Sequence, residues 1–309
     1  MECSETHPLV HIWGGGLHPP KADFTHPTPA KKGVNTMKVL ILYFSATGNT
    51  GKLAKVIKDR FTERGTEVTD QDITPYASRQ KSINLEPYDA VVFGAPIHSW
   101  RAPRVVREWL RTLDGQGKKC SMFFTYGGFV IHPTHYSTRK ILQEQNFTVV
   151  SSADFPGKHT FNIGGWRAMP GRPDTSDFEV AREYVDKTYN RFTGEDPGIL
   201  EELPQPELTD DQLDQLESIR FNIVTKLPTR DGEECSMCMI CEESCPTGAM
   251  NAESGHADPG KCIVCLACVA NCPDGSLKIN DLSQNWALTL EFEKTDEESI
   301  KGLKSRIYL

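Results

Sequence analysis

Eight of the chain's ten cysteines lie between Cys235 and Cys272. They form two runs. Cys235, Cys238, Cys241 and Cys245 precede Pro246, and Cys262, Cys265, Cys268 and Cys272 precede Pro273, both with the spacing C-x2-C-x2-C-x3-C-P. Each cysteine of the first run has a counterpart 27 residues later, and Gly248 and Gly275 keep that offset, so the stretch is an internal duplication. Two intervening residues let the chain curl around one object, so three successive thiolates converge on it while the fourth does not reach comfortably. Two runs therefore imply two metal centres. Structural zinc takes its ligands as two pairs, which a triplet followed by Cys-Pro does not supply. Disulfide pairing is the other alternative for so many cysteines in a short span.

The stretch closely resembles bacterial ferredoxins. The resemblance implies two 4Fe-4S clusters, with the last cysteine of each run crossing to the other cluster. Carried over by position, Cys235, Cys238, Cys241 and Cys272 hold one cluster, and Cys262, Cys265, Cys268 and Cys245 the other. Met237, Ile240, Ile263, Val264, Leu266 and Ala267 lie between the ligands as an apolar shell that limits water. A core this small relies on metal as its staple. Cluster thiolates also ask for a reducing compartment, so a cytoplasmic location is expected.

A second chemistry-bearing stretch is Ser45, Ala46, Thr47, Gly48, Asn49 and Thr50. It joins a buried strand over 38–45 to a helix over 50–64 that carries Leu53, Val56, Ile57 and Phe61 on one face. Backbone N–H groups and the positive helix end make an anion nest, to which Ser45, Thr47 and Thr50 add hydroxyls. The same residues also serve as ordinary helix caps. There is no Walker lysine pattern and no G-x-G-x-x-G, which argues against ATP and dinucleotides.

The elements that must position this loop follow by alternation. Strands are expected over 66–73, 89–96, 119–125 and 148–155, and helices over 103–113, 134–145 and 177–191. Five strands alternating with helices give an α/β doubly wound parallel sheet with ligands at the carboxyl ends of its strands. Here the chain resembles flavodoxins, in the loop 45–50 and in two further strand-end loops, 94–100 and 125–128. The resemblance implies a flavodoxin-like five-stranded sheet and FMN, with the phosphate at 45–50 and the ring near Pro96, Ile97, His98, Trp100, Thr125, Tyr126, Gly127 and Gly128. Trp100 and Tyr126 suit stacking on a flat ring, and glycines let backbone amides approach its polar edge. A single phosphate site favours FMN over FAD.

Other residues have plainer readings. His98 is a candidate proton relay to the flavin, His132 and His135 are expected to face solvent or cap a helix, and Cys120 is a core thiol. The segment 156–173 reads as a long loop that covers the flavin or shapes a docking face. Arg101, Arg104, Arg107, Lys158, Arg167 and Arg172 are candidates for a positive rim around it.

At 309 residues and 34.6 kDa the chain should form two domains. The expected divisions are a disordered N-terminal extension over 1–36, an FMN-binding domain over 37–193, a linker and bridging helix over 194–227, and an α+β ferredoxin-like domain over 228–309. The extension is rich in Pro, Gly and His, with His7, His11, His18 and His26 irregularly spaced and Cys3 near its start; translation from Met37 is the alternative. It lacks the pattern of a secretory signal. Thr209 and Gln212 make a capping box ahead of Leu213, Leu216 and Ile223 on the bridging helix. Alternation of Trp286, Leu288, Leu290 and Phe292 predicts a strand, and 296–306 a final helix.

Net charge is −8, divided unevenly: residues 1–194 hold 25 Lys+Arg against 19 Asp+Glu, and residues 195–309 hold 9 against 23. The two parts either attract each other or steer different partners. With no basic stripe, nucleic acid is not an expected partner. Every purely apolar run, 39–44 among them, is far below the roughly 18 residues of a membrane span. The expected function is electron transfer between two 4Fe-4S clusters and FMN and on to a redox partner protein, a ferredoxin or a reductase or acceptor enzyme. The alternative is a flavin-dependent reductase of a small acceptor, a quinone or another oxidised metabolite.

Overall fold

The computed structural model describes residues 36–129, 131–219 and 224–309. Residues 1–35 of the expected extension over 1–36, with Cys3 and its four histidines, and Ile223 of the bridging helix lie outside them.

Along β1 (Lys38–Tyr43), Val39 and Ile41 face one way and Leu40 and Leu42 the other, as a pleated strand requires when both of its faces are covered. β2 (Glu67–Asp72), β3 (Ala90–Pro96), β4 (Lys119–Tyr126) and β5 (Thr148–Pro156) join it in the order β2-β1-β3-β4-β5, all parallel. Helix α1 (Asn49–Glu63) and helix α4 (Thr175–Thr193) cover one face through Leu53, Ile57, Phe61 and Tyr184. Between them in sequence, α2 (Arg104–Leu110) and α3 (His132–Glu144) cover the other through Val106, Trp109, Ile141 and Leu142. Asp174 caps α4 by accepting from the N–H groups of Ser176 and Asp177, and Gly194, at φ 85°, ends it.

The acidic, proline-rich stretch after α4 lies on this core. Leu200 and Leu203 are buried, the Leu200 N–H donates to the Val149 carbonyl at 3.0 Å, and Arg139 donates to the carbonyls of Leu200 and Glu201. Helix α5 (Asp210–Ile219) follows, its capping box formed by Thr209 and Gln212.

The cysteine-rich part holds two short helices, α6 (Ile240–Glu243) and α7 (Ala267–Ala270), and a two-stranded ladder of β6 (Met250–Asn251) and β7 (His256–Ala257). By packing, Thr36–Leu309 is one compact unit. Ile263, Cys265 and Ala267 belong to the apolar cluster of Leu40, Leu42 and Phe44, while Val264 and Leu266 pack with Phe161, Trp166 and Met169.

The C-terminal region departs from its expected form. Residues expected as a strand form helix α8 (Ser283–Phe292). The four alternating apolar positions are also two i,i+4 pairs on opposite helix faces. Trp286 is buried and Leu290 packs with it, whereas Leu288 and Phe292 are exposed. The final helix is short, α9 (Glu297–Lys301), capped by Asp296, which accepts from the Ser299 N–H. The chain then runs extended as β8 (Arg306–Tyr308), antiparallel to β5, adding a sixth strand to the sheet.

Candidate cofactor sites

The cysteine runs fold as duplicates. Met237 and Val264 adopt φ of 56° and 48°, Met239 and Leu266 of 64° and 58°, and α6 and α7 start at the same offset. Left-handed backbone at such residues costs of order 1 kcal/mol each. In return it turns N–H groups towards sulfur: Met237 N–H donates to Cys235 Sγ and Val264 N–H to Cys262 Sγ, both at 3.4 Å. Cys245 Sγ accepts from the N–H groups of Ala249 and Met250 at 3.2 and 3.4 Å.

Two groups of four thiols result. Cys235, Cys238, Cys241 and Cys272 line one cavity. In the other group, burial and then the neighbouring thiols of Cys265, Cys245 and Cys262 push the Cys268 thiol up. Each group thus combines three cysteines of one run with the last of the other. None of the eight is joined in a disulfide, and among the described residues no three His, Cys, Asp or Glu side chains close on a single ion. Four soft ligands around a space, with N–H groups aimed at sulfur, suit an iron–sulfur cluster, whose potential such hydrogen bonds help to set. The two surroundings differ: Cys238 is exposed beside Met237, Met239 and Ile240, whereas Cys245, Cys265 and Cys268 are buried.

At the carboxyl ends of β1, β3 and β4 lies a cleft lined by Ser45, Ala46, Thr47, Asn49 and Thr50, by Pro96, Ile97 and His98, by Thr125, Tyr126 and Gly127, and by residues 157–160. It sits where the strand order reverses, the usual ligand position in such sheets. No carboxylate lines it, although the chain carries 42 Asp and Glu, and Lys158 lines it without an ion pair among the described residues. Such a lining accepts an anion. The first N–H groups of α1 have no intrahelical acceptor, and Gly48, at φ 92°, leads into them. Of the three hydroxyls expected there, Thr50 Oγ1 is buried against Thr125 Oγ1 at 2.8 Å. Ser45 Oγ accepts from the Gly51 N–H at 2.9 Å and keeps its own proton to donate, and Thr47 is exposed. Asn49 ties the loop to the next by donating from Nδ2 to the Lys158 carbonyl at 2.9 Å.

Trp100 sits beyond the cleft in a tight turn. His98 and Arg101 exchange backbone hydrogen bonds at 2.7 and 3.1 Å, while Ser99 and Trp100 adopt φ of 46° and 67°. Such turns favour Asn-Gly, so Ser-Trp here stores roughly 1–3 kcal/mol per residue. Thr134 Oγ1 holds the turn by donating to the Trp100 carbonyl at 2.6 Å. From there a second cleft of about 210 Å³ runs between Trp100, Tyr126, Phe129, His159, Phe161 and Trp166 on one side and Leu216, Ile219, Val224, Asn285, Thr289 and Glu293 on the other. The buried Tyr126 hydroxyl has no hydrogen-bond partner among the described residues, and burial followed by the Asp154 charge pushes it above the usual phenol range. A bound flat molecule is the natural occupant of walls this aromatic. Gly127 is required because a Cβ would stand 2.1 Å from the His159 ring. Gly48 and Gly128 line neither cleft; Gly128 lies against Ile300.

Residues 40–158 match the family model described as a flavodoxin domain, and residues 227–273 that of a 4Fe-4S dicluster domain. The chain joins a flavodoxin domain to a 4Fe-4S dicluster domain. Similar solved structures include a flavodoxin from the domain Archaea, 16% identical with a TM-score of 0.39, covering 51% of this chain and 99% of that one. Oxidised flavodoxin 2 from Bacillus cereus is 19% identical with a TM-score of 0.40, covering 51% and 99%. Rubredoxin oxygen:oxidoreductase from Desulfovibrio gigas is 18% identical with a TM-score of 0.39, covering 51% of this chain and 36% of that one. No curated protein matched the chain. The pairing of domains makes this an electron-transfer protein of the flavin and iron–sulfur kind. Among the described residues no helix is long and apolar enough to cross a membrane.

Several expected roles around the flavodoxin domain change. His135 is buried, not solvent-facing, with Nδ1 2.6 Å from Ser152 Oγ and Nε2 3.5 Å from Asp154. The arginines do not form a positive rim. Arg101 and Arg107 are buried against Glu217 at 3.1 and 2.8 Å, Arg104 lies 3.9 Å from Glu108, and Arg167 and Arg172 pair with Glu297 and Asp177. Arg101, Arg104 and Arg107 also border a cavity of about 760 Å³ between α2, α3 and α5, which shares no lining residue with either cleft. The segment 156–173 is a packed wedge with a 3₁₀ turn (Thr160–Gly164), and Phe161, Trp166, Ala168 and Met169 are buried in it.

Arg79 was not legible as a site residue. From a 3₁₀ turn (Tyr76–Gln80) in the flavodoxin domain it donates to the carbonyls of Ile73, Thr74 and Pro246, the last beside Cys245.

Proposed function

We propose that the protein carries electrons between FMN and two 4Fe-4S clusters and exchanges them with a partner redox protein. Cys235, Cys238, Cys241 and Cys272 hold one cluster, and Cys262, Cys265, Cys268 and Cys245 the other. The loop 45–50 and Lys158 hold the FMN phosphate, with Trp100 and Tyr126 at its ring. When bound, the flavin exchanges one or two electrons and each cluster one.

The observation that carries the reading is the packing of the second thiol group. Its Cys265 shares an apolar cluster with Phe44 and Ala46 at the start of the phosphate loop, and Val264 and Leu266 touch the wedge that walls the aromatic cleft. The first group opens to solvent at Cys238. One end therefore suits docking of a partner, and the other abuts the flavin site with water excluded.

Anoxic titration of the full chain, following flavin and cluster absorbance together, tests this. Both cofactor types should titrate, and electrons should leave rapidly to a redox protein. The aromatic cleft favours one further reading, reduction of a small flat acceptor such as a quinone. Rapid turnover with quinones in the absence of any partner protein supports that reading over the carrier.

A further inference from the structure

Glu293 ends α8 and lines the aromatic cleft alongside Tyr126 and Trp166. It is half-buried, and its carboxyl group makes no hydrogen bond or ion pair with any described residue. An unpaired carboxylate is out of place among rings, because the charged form loses hydration and gains no partner. Burial accordingly raises its proton affinity above the usual carboxylate range. The C-terminal end of a ten-residue helix, where carbonyl dipoles leave a negative pole, acts in the same direction.

The other titratable groups lining this cleft are Tyr126 and His159. Tyr126 keeps its proton, because burial disfavours the phenolate. His159 Nδ1 accepts from the Phe161 N–H at 3.0 Å, which orients the ring. The α5 side contributes Leu216 and Ile219, and α8 adds the neutral Asn285 and Thr289. No cation lining the cleft holds Glu293 ionised.

We propose that Glu293 is the proton donor and acceptor of the flavin cleft. The inference rests on FMN occupying that cleft. As an electron enters from the iron–sulfur side, the Glu293 O–H bond breaks and its proton passes to a ring nitrogen of the occupant. The carboxylate left behind regains a proton from water, to which its half-exposed position gives access. On reoxidation the steps run in reverse: Glu293 first releases its proton to water and then takes up the proton that leaves the ring nitrogen. One electron and one proton are thus added together, and no net charge accumulates between the aromatic walls.

The test compares the full-length holoprotein with Glu293→Gln, which keeps the shape and removes the exchangeable proton, and with Glu291→Gln, at an exposed carboxylate of the same helix outside the cleft, as a control. In redox-difference infrared spectra the parent and E291Q should show a carboxylic acid band that changes with flavin reduction, and E293Q should lose it. The plot of flavin potential against pH should lose an inflection in E293Q, and proton-coupled flavin reduction should slow on the order of 100-fold. Glu293→Asp should restore part of both. An E293Q protein that retains flavin with an unchanged infrared band and pH profile overturns the proposal alone. A parent protein that retains no flavin after reconstitution overturns it together with the reading on which it rests.

Discussion

Arg79 links the two candidate cofactor sites. Its guanidinium lies 5.5 Å from the centre of the Phe44 ring and donates to the carbonyl next to Cys245. Burial lowers its proton affinity, while Asp72 and the thiols of Cys265 and Cys245 act in the opposite direction, which places a cation within electrostatic reach of the second thiol group. A nearby positive charge favours an added electron. Arg79→Gln is therefore expected to lower the potential of the centre at Cys262, Cys265, Cys268 and Cys245, on the order of 50 mV at an effective dielectric constant near 20, and to leave the other centre unmoved. Anoxic titration followed by electron paramagnetic resonance measures both; equal shifts would contradict the assignment. Cys245→Ser separates the two groups more sharply. It should remove iron mainly from the centre at Cys262, and selective loss at Cys235 would reverse the crossed ligand assignment. The cysteines were legible because spacing alone encodes their convergence. Arg79 carries no such pattern, since its role comes from two segments 167 residues apart.

Among the elements, α5 shows what burial adds to sequence. Thr209 and Gln212 announced its start, but its charged face gave no sign of burial. Glu217 accepts from both Arg101 and Arg107, and all three are less than a tenth exposed. Removing one partner strands buried charge, so Glu217→Ala should cost about 3–5 kcal/mol, read as a lower denaturant midpoint of the intact holoprotein. Asp214→Ala, a change at a mostly exposed carboxylate, should cost about 1 kcal/mol or less. Similar costs for the two would refute the clamp. The five parallel strands were legible because two-sided burial writes continuous apolar runs. Helix α8 was not, because its short alternating pattern fits either period. Strand β8 was hidden for another reason: three residues, Arg306, Ile307 and Tyr308, carry no periodicity, and only β5 makes them a strand.

At the scale of the molecule, the uneven charge becomes a set of ties between distant parts of the chain. Acids after residue 194 meet basic residues before it, as in Glu217 with Arg107 and Glu297 with Arg167, and Arg306 returns to Asp154. The C-terminal strand is the last tie. Tyr308 donates to the fully buried Asp154 at 2.8 Å, Arg306 stands 3.5 Å from it, and Ser305 donates to Asp177 at 2.6 Å. Deleting residues 305–309 should leave Asp154 without these partners and destabilise the holoprotein by about 3–5 kcal/mol at neutral pH. His135 gives this an additional pH signature. Burial holds its affinity for a proton below the ordinary value of 6.5, against the pull of Asp154, while Arg306 adds to the lowering. A depressed folded-state pKa means that the unfolded chain takes up the proton first. Its contribution is therefore full above pH 6.5 and is lost as pH falls below it towards the folded value. Truncation removes Arg306 and admits water, so His135 should protonate more readily in the folded state. Urea midpoints of the truncated protein should start lower at neutral pH and then fall less steeply below pH 6.5 than those of the parent. A parallel fall in both would show that the strand stabilises the sheet without acting on the His135 and Asp154 pair.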